Sequence, residues 1–174
     1  MRSGWLGIVL VIALGTRAEA QEPPKTADWG MFDFDRETGS MHGLVAGAPD
    51  SVFLVLKAVF AEIGLPPKDE DTADRKFGGK HIKVVRKLAK RPASYFISCG
   101  DGLTGPNADS WYIYVSYGIQ VMPAPGKKAS LRMSVNAEAI DVPNGRSDRM
   151  ICTTTGQLEL EILRRLRLVF PGTT

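Results

Sequence analysis

At 174 residues, with 44% hydrophobic and 24% charged side chains and a formal net charge of +3, the chain has room for one ordinary domain with a real core. Such an even charge balance argues against a general nucleic-acid binder, which carries a concentrated basic excess. Two cysteines and two histidines, with no paired spacing, leave a zinc site unsupported.

Residues 1–20 read as a signal peptide. Arg2 supplies the positive end, "WLGIVLVIALG" the apolar stretch and "AEA", Ala18 to Ala20, a small-x-small cleavage site. Cleavage is expected after Ala20, leaving Gln21 as the mature N-terminus. The apolar stretch is too short for a comfortable membrane span, and no second one follows, so the mature chain is expected to carry none. The expected location is secreted or periplasmic.

Residues 21–40, "QEPPKTADWGMFDFDRETGS", read as a partly disordered lead-in, with 41–174 as a single α+β domain. Trp29, Phe32 and Phe34 would cover an edge of the core; the sharper alternative is a short partner-binding epitope. "MHGLVAGAP" reads as a short strand and a turn. Residues 49–63 predict a helix, with Pro49 at its first position, Asp50 at the positive end of its dipole, and Val52, Leu56, Val59, Phe60 and Ile63 on one stripe. Gly64 and Pro66-Pro67 end it. Gly78-Gly79 then suggests a hairpin turn between two polar arms, and periodicity leaves the basic segment after it open between strand and helix.

Later strands read more clearly. "SYFISCG" (94–100) is a short one. "SWYIYVSYGIQVM" (110–122) puts Trp111, Ile113, Val115, Tyr117, Ile119 and Val121 on one face, and "SLRMSVNAEAIDV" (130–142) repeats the alternation. One apolar and one wet face mark an antiparallel sheet packed on one side. A final helix is expected at about 156–169, with a Thr154/Gln157 capping box and Leu158, Ile162, Leu166 and Val169 buried. The resulting fold is α+β in β-α-β(n)-α order: a helix-grip-like antiparallel sheet of about four to six strands with two helices on one face.

Cys99 and Cys152 are the cysteines, and an even pair bound for an oxidising compartment predicts a disulfide. By loop-closure entropy a link of this span is worth roughly 4 kcal/mol. The rival reading makes Cys152 a nucleophile activated at a helix N-terminus, but neither His42 nor His81 stands in a motif-like spacing as its base. Asp69, Glu70, Asp71 and Asp74 lack the ligand order and glycine of a calcium loop. No cofactor motif, G-x-S-x-G or H-E-x-x-H is present, and "GDGLTGPNADS" (100–110) reads as a hairpin connection without the ending of a phosphate loop.

Lys80, Lys83, Arg86, Lys87, Lys90 and Arg91 form the densest basic run. Lysines on an exposed strand edge block edge-to-edge pairing, which is the preferred reading. The functional alternative places an anion or partner contact at Lys80, Lys83, Arg86 and Lys87, against lipid headgroups or polyanionic envelope polymers. Aromatic interleaving is too slight for single-stranded nucleic acid.

The helix ending in "AEIGLPPKDED", the strands after it and the terminal helix resemble the BamC-type helix-grip domains of outer-membrane assembly lipoproteins in element order, over about residues 40–170. The chain departs from them in lacking a lipidation cysteine after the signal and in carrying Cys99 and Cys152. "CTTTGQLE" also resembles the C-terminal signature of small secreted bacterial proteins. The resemblance implies a non-enzymatic envelope role and transfers no functional residue.

The expected function is therefore a non-catalytic exported binding or assembly module for a peptide, lipid or protein partner, through a sheet–helix groove or the aromatic lead-in. The alternative is a small secreted hydrolase using residues 100–110 and 152–157. Nothing in the residues specifies an oligomeric state. Thiol alkylation of purified protein under non-reducing conditions should leave Cys99 and Cys152 unmodified by mass spectrometry; two alkylated cysteines would refute the bridge.

Overall fold

In chain order the elements are β1 (Phe32–Asp35), β2 (Ser40–Val45), α1 (Pro49–Glu62), β3 (Asp69–Asp71), β4 (Lys76–Val85), β5 (Lys87–Leu88), β6 (Arg91–Pro92) and a 3-10 turn (Ala93–Tyr95). Then come β7 (Ile97–Ser98), β8 (Asp101–Gly102), β9 (Gly105–Pro106), α2 (Asn107–Ser110), β10 (Tyr112–Ala124), β11 (Lys128–Ile140), β12 (Arg149–Thr154) and α3 (Gln157–Val169). The structure, a computed structural model, describes residues 32–35, 40–142, 145 and 149–171, with side chains described from Met41 onward. The expected signal peptide, its cleavage site at Ala20 and Gln21, and Trp29 lie outside the described residues.

β10 and β11 build the centre. They pair antiparallel from Tyr112↔Ile140 to Ala124↔Lys128, and their apolar positions alternate onto one face: Ile113, Val115, Tyr117, Ile119 and Val121 against Leu131, Met133, Ala137 and Ala139. Strand order is β1-β2-β11-β10-β4-β3. Because β10 occupies one edge of β11, β2 and β12 share the other, at Ala129–Ser134 and Ala137–Ile140. Beyond Cys152, β12 leaves β11 and pairs with β7.

Helix α1 forms as its sequence predicts. Val52, Phe53, Leu56, Val59, Phe60 and Ile63 are all buried, each contributing roughly 1.5–3 kcal/mol of gross burial. The helix packs on β10 and β11 and against α3. Phe60 stacks on Tyr117 at 4.5 Å, Phe77 meets both rings edge-on, and the Tyr117 hydroxyl donates to the Leu65 carbonyl at 2.8 Å. Burial pushes that phenol above its usual range.

Several expectations are corrected. Among the described residues the main sheet has eight strands, more than the four to six expected. Among the additions, β1 and β3 are four and three residues long, too short to show a period, and β1 falls inside the expected lead-in. Gly78-Gly79 is not a turn but the middle of β4, opposite Gly118 and Tyr117. A Cβ on Gly78 would lie 2.6 Å from the Tyr117 carbonyl oxygen, so close strand approach explains the glycine. Of "SYFISCG" only Ile97–Ser98 is strand, as β7; Ser94 and Tyr95 belong to the 3-10 turn before it, where Asp109 accepts from both the Ser94 N–H and its hydroxyl at 2.8 and 2.7 Å. The basic segment is strand through Val85.

The start of α3 also differs. Thr154 belongs to β12, and Gly156 caps the helix at φ +84 without a side-chain cap. Thr155 Oγ1 accepts weakly from the Gln157 N–H at 3.4 Å and donates to the Tyr95 carbonyl at 2.7 Å. Val169 is half exposed, while Leu163 and Glu159 take up the buried side. Glu159 is 6% exposed, and its Oε2 has no partner among the described residues. Burial raises its carboxyl above the usual range, partly offset by bonds from its own N–H and from Thr154.

Two outcomes are expected. Gly78→Ala should cost about 1–3 kcal/mol by crowding the Tyr117 backbone, read as a Tm lower by about 2–4 °C per kcal/mol; an unchanged Tm would restore the turn. Because the folded carboxyl of Glu159 titrates above its unfolded value, its stabilising contribution is complete below the unfolded value and fades as pH rises through the folded one. Glu159→Gln should therefore stabilise by about 1 kcal/mol at pH 7 and by little at about pH 4, measured by denaturant unfolding. A gain confined to acid pH would contradict this assignment.

Candidate cationic surface

Between Arg75 and Gly100 the chain carries eight Lys or Arg side chains and no Asp or Glu. Arg75 and Lys76 are neutralised by Asp50 and Asp74. The other six, at positions 80–91, are exposed on β4 and on the hairpin that follows it. Lys80, Arg86, Lys87 and Lys90 form no ion pair among the described residues. Lys83 and Arg91 instead lie over the rings of Tyr112 and Tyr95, with the charged groups 3.5 and 4.6 Å from the ring centres. A ring attracts a cation without cancelling its charge.

The backbone presents these cations on fixed supports. Lys80 and His81 together face Ser116, a β-bulge in which His81 takes φ +50 and its N–H donates to the Ser116 hydroxyl at 3.1 Å. Past Val85 the chain turns at Arg86 (φ +61) into β5–β6, whose turn residues Ala89 and Lys90 both have positive φ. A residue with a side chain costs roughly 1–2 kcal/mol there, and the conformation persists only where surrounding contacts offset that cost. Leu88, buried at the end of the core, supplies that hold, with the Ala89 N–H bonded to the Ile63 carbonyl and the Ala93 N–H to the Arg86 carbonyl at 3.1 and 2.8 Å. Lys80, Lys83, Arg86 and Lys87, singled out from the sequence, thus lie along one strand and the hairpin continuing it.

The wet face of the sheet holds a polar row that the sequence did not disclose. His42, Arg132, Gln120 and Lys76 stand side by side on four neighbouring strands. Lys76, Gln120, Arg132 and Ser134 rim a shallow depression of about 370 Å³ over bare Gly118. Cross-strand register assembles this row, and no run of neighbouring residues announces it.

The loops of the hydrolase alternative are occupied by structure. Residues 101–106 form the small β8–β9 hairpin, and Asn107, nearly buried, donates from Nδ2 to the Cys99 carbonyl at 3.1 Å. Asp109 holds Ser94, and Thr155 holds Tyr95. Cys99 and Cys152 are joined in a disulfide with Cα atoms 4.6 Å apart, so both sulfurs are used. His42 and His81 lie on β2 and β4, with the latter at the bulge. In the acidic stretch Glu70 pairs with Lys57, while Asp71 Oδ1 accepts from the Ala73 and Asp74 N–H groups. Among the described residues no group of three His, Cys, Asp or Glu side chains converges as a metal site, and no helix is long and apolar enough to cross a membrane.

No family model matches the chain, and no curated protein matches it. Among solved structures it is similar to a DUF4468 family protein from Bacteroides ovatus, at 10% identity and a TM-score of 0.37. That match spans 64% of this chain and 58% of the other, and a likeness of this size carries no argument about kinship or activity. Neither finding ties the chain to the helix-grip domains it resembles in element order.

Proposed function

We propose that this chain is a non-catalytic exported binding module of the cell envelope, and that β4 through β6 is the surface that engages an anionic partner. α1 packs on β10 and β11 and against α3; a helix-grip-like layout with both long helices on the apolar face would leave the wet face and its edges for recognition. The observation that carries the reading is the acid-free run from Arg75 to Gly100 with its exposed cations at 80–91. Protection of a strand edge accounts for Lys80 and Lys83. It does not account for Arg86, Lys87, Lys90 and Arg91, because a two-residue ladder is too short to template pairing. A cluster of like charges repels itself and raises the local concentration of anions. The disulfide supports an oxidising location, where phosphate- and carboxylate-bearing polymers and headgroups are plentiful.

Retention on immobilised dextran sulfate tests this reading. The protein should bind at low salt and elute as salt rises, since exposed charges are screened within about 10 Å at 0.1 M. Lys80→Glu combined with Lys87→Glu should weaken binding about tenfold or more at unchanged Tm. Lys127→Glu, in the β10–β11 turn at the far end of the sheet, should change it much less. Absence of retention, or equal loss from Lys127→Glu, would remove the assignment.

A further inference from the structure

The cationic hairpin has a neighbour of opposite character. Val85, Tyr112, Ile140 and Arg149 stand in register across one end of the sheet, the end away from the β10–β11 turn. β5–β6 leaves the sheet there after Val85, and β8–β9 returns there through α2 to Tyr112. The Ser94–Asp109 hydrogen bonds pin the segment leaving the first hairpin to the helix leaving the second. The two hairpins therefore share a base.

Leu103 occupies the tip of β8–β9 with its side chain wholly exposed, at 108% of the reference accessibility. Ile151 is 87% exposed on β12, and Val85, Val142 and Met150 are partly bare around the same end. Single exposed aliphatics are ordinary; a fully bare leucine on the tip of a braced hairpin, rooted at the end of the sheet where other exposed aliphatics lie, is not. The disulfide fixes Cys99 at the base, and the Asn107 N–H donates to the Gly100 carbonyl at 3.0 Å, with Nδ2 on the Cys99 carbonyl. Leu103 contributes nothing to the core, yet its hairpin is held in place.

We infer that this end of the sheet docks on an anionic phospholipid surface, Arg86, Lys87, Lys90 and Arg91 meeting the headgroups while Leu103 enters the acyl boundary. The inference rests on the proposed anionic contact and adds the partner's class. A polyanionic polymer needs only the cations, whereas a bilayer uses cations and aliphatic side chains together.

Sedimentation of the purified protein with vesicles decides it, comparing phosphatidylcholine alone with phosphatidylcholine mixed with phosphatidylglycerol. Binding is expected to the mixed vesicles only. Lys87→Gln with Lys90→Asn, the asparagine suiting the positive φ at that position, should lower partitioning by about 25-fold, at about fivefold per cation. Leu103→Asn should lower it about tenfold while leaving both Tm and retention on dextran sulfate unchanged. Retention on dextran sulfate without vesicle binding, or vesicle binding indifferent to Leu103→Asn, would overturn the membrane inference and leave the anionic contact standing. Failure to bind both dextran sulfate and vesicles would overturn both.

Discussion

Strand alternation is the constraint on which the rest depends. The apolar sides of β10 and β11 must meet the stripe of α1, so every strand joined to them has to present its apolar residues on that side. β10 and β11 comply by simple alternation. β4 does not: Phe77 and Gly79 face inward, and so do Ile82 and Val84, an odd-numbered pair followed by an even-numbered one. A regular strand would send the second pair to water. The bulge at Lys80–His81 absorbs the extra residue, and the Ser116 hydroxyl accepts the N–H that the bulge releases. Positive φ at His81 is the local cost of keeping the face continuous.

The same correction distributes the charges. Once Ile82 and Val84 are inside, Lys83 faces out over Tyr112, and the chain leaves β4 directly into the hairpin bearing the remaining cations. Acids elsewhere are engaged locally: Asp50 with Arg75, Glu70 with Lys57, Glu138 with Arg149, and Glu161 with Arg164 and Arg165. A formal net charge of +3 therefore conceals a strongly uneven surface. Exposed pairs of this kind contribute little stability each.

The sulfur link joins these parts. Cys152 sits where β12 passes from β11 to β7, and Cys99 follows β7 immediately, so a closure spanning 53 residues also fixes the base of β8–β9. Asn107, the first residue of α2, completes the brace from the far side of the hairpin. A nucleophilic role for Cys152 fails on this geometry, since its sulfur is bonded and the polar groups around it hold backbone. Glu159, buried in the first turn of α3, keeps one carboxylate oxygen without a partner among the described residues, and burial holds its carboxyl above the usual range.

Much of the fold was legible in the residues because it is local. Five apolar positions at helical spacing between Pro49 and Gly64 specify α1, two long alternations specify β10 and β11, and each of these forms as read. The Gly78-Gly79 error shows where local reading stops: the glycines answer to the Tyr117 carbonyl on a neighbouring strand, a contact with no trace in their own segment. The basic run was visible as composition, but its supports were not, since Leu88 and the Ile63 carbonyl are distant in sequence. By itself the sequence determined the α+β elements, the half-wet sheet and the excess of cations between 75 and 100, because periodicity and composition act over a few residues. Only the tertiary structure decided the bulge, the row from His42 to Lys76 and the pairing of a basic hairpin with a bare Leu103, because those depend on register between strands far apart in the chain.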